Sequence, residues 1–207
     1  MSFTKVKIYN IALSALLLSR EIIDIETDPN QNEIRVLNTF WDIALESTLQ
    51  DLDLDSLSQP ISLELLATLE DDNPWDYVYK YPSNCAFLRR IESGAAVDNK
   101  STHISKRTAI YDGQKAIYTN QYQAVGECIP KDVPLEAFNA MAGMALGYRL
   151  ASFSAPLITG KGAKKLRDTI EAKYLIAKAK AQETDSLENF NYEPEWQRSE
   201  FVEARLS

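Results

Sequence analysis

The feature that most constrains this fold is an aromatic, β-prone block, residues 75–92, which lies between two long stretches whose apolar residues recur at helical spacing. Within the block four aromatic residues occupy every second position, so a strand would carry all four rings on one face. They are Trp75, Tyr77, Tyr79 and Tyr81. A turn signal at residues 82–84 precedes a second β-prone run, residues 85–91. The order helix, helix, strands, helix, helix predicts an α+β protein.

Four segments repeat apolar residues with the i, i+3, i+4 and i+7 spacing of an amphipathic helix. The first begins after a capping residue, Ser2 or Thr4, and runs to about Arg20. The third is expected to stop before Pro156 and Gly160, because proline and glycine interrupt helices. The predicted helices cover residues 4–20, 32–49, 137–152 and 163–190.

Five β-prone segments lie between the second and third helices. Asp112 and Gly113 separate two of them and indicate a tight hairpin, because a type I′ turn needs residues that tolerate positive φ. Gly126 is a point at which the last strand can break. The predicted strands cover residues 62–70, 75–81, 85–91, 107–111 and 115–128.

The four helices can bury their apolar stripes against one another. The sequence therefore predicts a single domain, residues 1–207, with a four-helix bundle-like core built from an N-terminal and a C-terminal helix pair. The core comprises residues 1–58 and 130–190, a small antiparallel β-sheet is inserted at residues 59–129, and residues 191–207 form an extended C-terminal arm.

Charge is distributed in blocks along the chain, whose formal net charge is −8. Residues 21–76 hold fifteen acidic residues and one basic residue, whereas residues 161–180 hold seven basic and two acidic residues. Blocks of opposite sign either form complementary faces between neighbouring copies or are solvated surfaces. The acidic excess argues against a sequence-reading nucleic-acid-binding protein, which holds phosphates with clustered lysine and arginine.

Candidate motifs for chemistry fail on their spacing. Residues 159–165 lack the pattern of a phosphate-binding loop, and the acidic triplet at positions 51, 53 and 55 lacks the glycine and glutamate of a calcium-binding loop. His103 is the only histidine. Cys85 and Cys128 are expected to be small, buried apolar residues. We predict no cofactor, no metal and no catalytic residue, although thirty acidic residues leave a carboxylate-pair glycosidase open.

Two apolar segments imitate membrane signals without fitting them. Residues 5–18 lack a cleavage site for a secretory signal, and polar residues with Pro156 make residues 137–160 a poor span of a bilayer. We expect internal helices and no membrane association.

The C-terminal segment combines acidic residues with four large aromatic residues. Pro194 and the acids around it disfavour a continuous helix. Because buried aromatics dominate interface energies, the arm either docks on a partner or folds back on its own helices. The four residues are Phe190, Tyr192, Trp196 and Phe201.

Five local sequences, taken in order, resemble the head-to-tail connectors, or tail adaptors, of tailed bacteriophages, the group called tail tubular protein A. The resemblance is one of layout and local motifs and involves no catalytic signature. The five are YNIAL at residues 9–13, WDYVYKYPSNCAFLRRI at 75–91, AIYTNQYQA at 116–124, LASFSAPLITGKG at 150–162 and the terminal EARLS.

This resemblance implies a non-enzymatic virion protein at the head–tail junction, assembled in the host cytoplasm. Twelve copies would form a ring between the portal protein and the tail nozzle or tail-tube proteins, around a channel through which DNA passes without sequence-specific binding. The arm would contact the portal through Phe190, Tyr192, Trp196, Phe201 and Arg205. A loop at residues 93–105 would face the tail through Asp98, Asn99, Lys100 and His103.

Two other classes stay open from the sequence. A tail-associated hydrolase would keep its turnover when Trp196 is replaced, whereas a connector would lose its binding to the portal. A monomeric helical interaction protein would remain a small species in solution.

Overall fold

The computed structural model describes residues 3–27, 31–70, 73–93, 104–160 and 163–188. These residues form an α+β structure with four helices and two antiparallel sheets, in agreement with the predicted class. The helices are α1 Lys5–Ala15, α2 Gln31–Leu52, α3 Ala140–Thr159 and α4 Ala163–Glu188, and short 3₁₀ helices occur at Asp55–Leu57 and Leu135–Ala137.

Helix α1 begins at a predicted cap but ends five residues before the predicted end. The Thr4 side chain accepts a hydrogen bond from the first turn. At the other end Leu17 has a φ of 61°, and the Leu18 N–H donates to the Leu13 carbonyl at 3.1 Å. One left-handed residue with this hydrogen bond closes a helix. The predicted extension to Arg20 is therefore wrong, although apolar spacing continues.

Helix α3 passes through the residue that was expected to stop it. Its predicted end near Ser152 is wrong, because the helix continues to Thr159 with Pro156 inside it. Within the last turns a proline removes a single backbone hydrogen bond. The burial of Ala155 shows that this part of α3 still packs in the core. Gly160, with a φ of 61°, then turns the chain toward α4.

Helix α3 contacts each of the other three helices, and its small residues allow close approach. At Gly147 an added Cβ would lie 2.4 Å from Ile11 Cγ2 and 3.5 Å from the Ile8 carbonyl oxygen. Gly143 approaches the ring of Phe3 in the same way. These small residues let α1 pack directly against α3.

In the part of the chain that the structure describes, seven short strands form two antiparallel sheets, whereas the sequence predicted one. The strands are β1 Gln59–Ser62, β2 Leu65–Thr68, β3 Tyr77–Lys80, β4 Cys85–Ile91, β5 Lys106–Tyr111, β6 Gln114–Thr119 and β7 Val125–Pro130. The orders are β1-β7-β4 and β2-β3-β6-β5. The chain changes sheet between β1 and β2, between β3 and β4, between β4 and β5, and between β6 and β7.

These changes of sheet explain where the predicted strands fail. The predicted strand at residues 62–70 is only β2, because Ser62 already ends the separate strand β1, and the one at residues 115–128 breaks at residues 120–124. Gly126 does not break it, because it pairs with both neighbouring strands. The predicted hairpin is confirmed, with Asp112 and Gly113 at φ values of 47° and 75° between the paired strands β5 and β6.

An apolar cluster that includes Leu63, Tyr79 and Ile117 combines residues of both sheets. Cys85 and Cys128 are buried in this cluster, as predicted, but they form a disulfide, with Cα atoms 5.9 Å apart. Treating them as two ordinary apolar residues was therefore wrong. The pairing of β4 with β7 brings the cysteines together, and spacing in sequence does not reveal that pairing.

Candidate functional site

The residues predicted to contact a portal and a tail lie outside the part of the chain that the structure describes. These are Phe190, Tyr192, Trp196, Phe201 and Arg205 of the arm, and Asp98, Asn99, Lys100 and His103 of the loop. The structure does describe their attachment points. Helix α4 ends at Glu188, and the loop lies between the end of β4 at Ile91 and the start of β5 at Lys106. The surfaces around α4 therefore form the candidate site.

The last turns of α4 are fixed to the end of α2. Asp185 is only 4% exposed, and its carboxylate accepts hydrogen bonds from the Asp55 N–H at 2.7 Å and the Ser56 N–H at 3.1 Å. Such N–H groups at the start of a short helix have no partner within that helix. Gln182 Nε2 donates to the Leu52 carbonyl at 2.9 Å. The point at which the arm begins is thus held in place.

Arg149 links three helices. Its guanidinium group pairs with Asp51 of α2 and lies 3.2 Å from Glu171 Oε1 of α4. The same group lies 3.8 Å from the centre of the Tyr174 ring, whose hydroxyl donates to Asp51 at 2.8 Å. Burial, together with this hydrogen bond to a carboxylate, raises the pKa of Tyr174 and keeps the hydroxyl protonated. The single charge of α3 is therefore engaged by three neighbouring side chains.

A surface cleft of about 620 Å³ lies between α3 and α4 beside Arg149. Charges of both signs line it, and two of them, Arg149 and Glu171, form an ion pair. The cleft therefore lacks the single-sign potential that would select an anion or a cation. Its walls contain Ser152, Phe153, Pro156, Ala163, Lys164, Arg167 and Asp168 in addition to that pair.

A second ionic cluster joins the end of α2 to the three-stranded sheet. Arg89 Nε lies 2.5 Å from Asp53 Oδ1, and another nitrogen of Arg89 lies 2.9 Å from Glu127 Oε1. Ser58 donates to that oxygen at 2.5 Å, and Arg90 pairs with the other. Burial by itself raises the pKa of Glu127, but the Ser58 hydrogen bond and the two guanidinium charges outweigh it and lower the pKa below its usual value.

The acidic triplet at positions 51, 53 and 55 is divided between two arginines. Asp51 pairs with Arg149, whereas Asp53 and Asp55 both pair with Arg89. Within the described ranges, no group of three or more His, Cys, Asp or Glu residues is placed to hold a metal ion. None of the helices in those ranges has the length and apolar character needed to cross a bilayer.

Helix α4 has two apolar faces. Its predicted stripe packs inward, and Ile170, Tyr174 and Ala181 of that stripe are fully buried. On the opposite side Leu175 and Ile176 are 55% and 59% exposed, between two exposed alanines one turn away. These positions have the i, i+3, i+4 and i+7 spacing of a helix face. We name them the α4 outer strip: Ala172, Leu175, Ile176 and Ala179.

Exposed lysines border the α4 outer strip, and they are Lys165, Lys173 and Lys180, whereas the exposed acids Asp168 and Glu183 lie one turn beyond its two ends. An apolar surface with a charged rim is typical of a protein–protein contact. Because lysines outnumber acids around the strip, a partner surface with acidic borders is favoured.

Two of these features, the α4 outer strip and the pairing of Arg149, have signals in the sequence that the helical pattern of the inner stripes does not include. The α4 outer strip is a second set of apolar residues at helical spacing, offset from the inner stripe. Arg149 is a lone charge in an apolar helix, which indicates a paired partner elsewhere in the chain. The hydrogen bonds of Asp185 join residues that are 130 and 129 positions apart in the sequence, so no local sequence pattern predicts them.

Comparison with known proteins gives no matching protein-family model and no matching curated protein. The resemblance to phage connectors therefore remains a prediction from the sequence.

Proposed function

We propose that this chain is a structural component of the head–tail junction of a tailed bacteriophage, where copies of it form a ring between the portal and the tail. The observation that carries the proposal is the α4 outer strip. A helix whose inner stripe is already buried gains nothing in its own copy from a second apolar face. A neighbouring copy that covers this face would supply the missing burial.

The attachment of α4 suits such a role. Its 26 residues form a rod of about 39 Å, and Arg149 and Asp185 fix this rod to the rest of the chain. One firmly held helix would then present its side to a neighbouring copy while its C-terminal end directs the arm toward the portal. We extend the proposal to the whole helical part, which would act as one bundle-like unit with the arm projecting from it.

In this role the chain makes and breaks no covalent bond and uses no cofactor. Acidic residues on the channel side of the ring would repel the DNA backbone and let it slide without sequence-specific binding. Its partners would be the other copies in the ring, the portal protein and the tail-tube or tail nozzle proteins. It would be located in the finished virion.

The test is a binding experiment with purified portal rings of the virus that encodes this chain. Light scattering measures the mass of the chain alone and mixed with portal rings, and electron microscopy counts the copies bound. We expect about one copy per portal subunit for the wild type and loss of binding for Trp196→Ala. Trp75→Ala, which lies outside the arm, serves as the matched control and should bind normally.

Three other results would overturn the proposal or its assignment of the arm to the portal contact. A chain that binds no portal and stays monomeric is a helical interaction protein of another kind. Normal portal binding by Trp196→Ala would remove the arm from the contact. Cell-wall hydrolysis by the wild type that survives Trp196→Ala would favour the tail-associated hydrolase.

A further inference from the structure

The segment between α1 and α2 exposes two large apolar side chains. Leu17 is 77% exposed and Ile23 is 86% exposed. The backbone between them is nonetheless fixed, because Asn10 and Ile22 exchange two hydrogen bonds of 2.9 and 2.8 Å. Ile22 itself is 1% exposed and belongs to the helical core. The two exposed side chains therefore project from an anchored segment.

Leu17 occupies a position that usually holds glycine. Its N–H donates to the Ser14 carbonyl at 3.0 Å, and the next N–H, of Leu18, donates to the Leu13 carbonyl at 3.1 Å. This pair of hydrogen bonds is the Schellman motif, whose left-handed residue is preferentially glycine because a side chain there is strained. Leu17 adopts this conformation with a φ of 61°. A strained and exposed leucine brings little stability to its own copy, so its side chain requires another explanation.

Acidic residues surround these two side chains. Glu21, Asp24 and Glu26 are all exposed in the same segment. We call these five residues the connector patch: Leu17, Glu21, Ile23, Asp24 and Glu26. It matches the α4 outer strip in apolar character and opposes it in charge, since most of its exposed charges are acidic, whereas lysines outnumber acids around the strip.

We propose that the connector patch of one copy packs against the α4 outer strip of the next copy, an inference that rests on the proposed function. Both surfaces are exposed in the same chain, so they do not cover each other within one copy. Two acidic rims or two basic rims would repel, and a contact between unlike patches is therefore favoured over a symmetric one. A repeated contact between unlike surfaces builds a ring when its rotation closes. Leu17 and Leu175 are the apolar anchors of this contact.

The decisive variant is Leu17→Gly, because the two explanations of Leu17 predict opposite effects. Glycine relieves the left-handed strain but adds freedom to the unfolded chain, so we expect Tm to stay unchanged or to rise by up to about 4 °C. Loss of an anchor should weaken self-association at least tenfold. Leu175→Ala should weaken it similarly. Ile110→Ala, at a residue 75% exposed on β5 and outside both patches, is the control and should assemble normally.

Charge reversal tests the pairing itself. Glu21→Lys and Lys173→Glu should each weaken assembly in sedimentation velocity at low salt, and the double variant should recover most of the loss. Each variant is measured alone and on portal rings, so that a chain which assembles only on a portal is also assessed.

The outcomes separate this inference from the proposed function. If Leu17→Gly lowers the Tm of the unassembled chain, or if it assembles as the wild type does, the contact is wrong. If the reversed charges are not rescued by the double variant, the two patches do not meet. Complete rings of such variants on the portal would overturn this contact alone, whereas a wild type that neither assembles nor binds the portal would overturn both.

Discussion

Replacing Asp185 by alanine tests whether α4 is fixed to the rest of the chain in the way that the structure indicates. The carboxylate accepts two backbone hydrogen bonds, at 2.7 and 3.1 Å, from the first residues of the 3₁₀ helix. A hydrogen bond to a charged group contributes about 1.5–3 kcal/mol. The donor residues Asp55 and Ser56 have exposed side chains, so their N–H groups can regain part of this energy from water after the substitution.

We therefore expect Asp185→Ala to lower the free energy of unfolding by about 2–4 kcal/mol. For a chain of this size that loss corresponds to a decrease in Tm of roughly 5–12 °C. Urea unfolding followed by circular dichroism measures it, and the midpoint should fall while the slope with urea stays constant. Asp185→Asn should also be destabilised, because an amide offers only one oxygen to two donors.

Ser186→Ala is the control, because the exposed Ser186 hydroxyl donates to the Gln182 carbonyl within α4 itself. Its effect should stay below about 0.5 kcal/mol. A loss below about 1 kcal/mol for Asp185→Ala would refute the reasoning, because the two hydrogen bonds would then add nothing beyond an ordinary surface contact.

Two further predictions concern the packing of α3 and the ionic cluster of the sheet. Gly147→Ala should lower the free energy of unfolding by about 1–3 kcal/mol in the same assay, because the new methyl group meets the Ile11 side chain near its Cβ. Gly143→Ala should lower it less, because the tip of the Phe3 ring can move away from the new methyl group. Equal effects of the two substitutions would contradict this explanation. The lowered pKa of Glu127 gives stability that is present above pH ~4.3 and is lost as pH falls through that lowered pKa. The difference in unfolding free energy between the wild type and Glu127→Gln should therefore be full at pH 6 and smaller at pH 3, and a constant difference would count against the cluster.

Helical periodicity predicted the inward face of α4, where Ile170 and Tyr174 are fully buried, because burial of an apolar stripe is a local property of the sequence. The Asp112–Gly113 hairpin was predictable for the same reason, since the conformation of a tight turn depends on its own two residues.

Pairings between distant segments were not predictable in this way. The short strands of residues 59–130 are divided between two sheets, and the chain passes from one sheet to the other several times. Composition alone does not show to which sheet each strand belongs. The disulfide of Cys85 with Cys128 follows from the pairing of β4 with β7. The helix-closing role of Leu17 was equally hidden, because a leucine in the left-handed conformation defies the residue preference on which such predictions rest.

The candidate site shows the same division, which links the proposed assembly to the stability of α4. The α4 outer strip is a local pattern, but its usefulness as a contact surface depends on the distant partners that hold α4. Arg149 and Asp185 order this helix before any partner arrives, so covering the strip requires little further loss of conformational entropy. Asp185→Ala leaves the residues of the α4 outer strip unchanged. If Asp185 acts in this way, the folded variant should nevertheless assemble more weakly than the wild type. Loss of stability without any loss of assembly would mean that the strip needs no prior fixation of its helix.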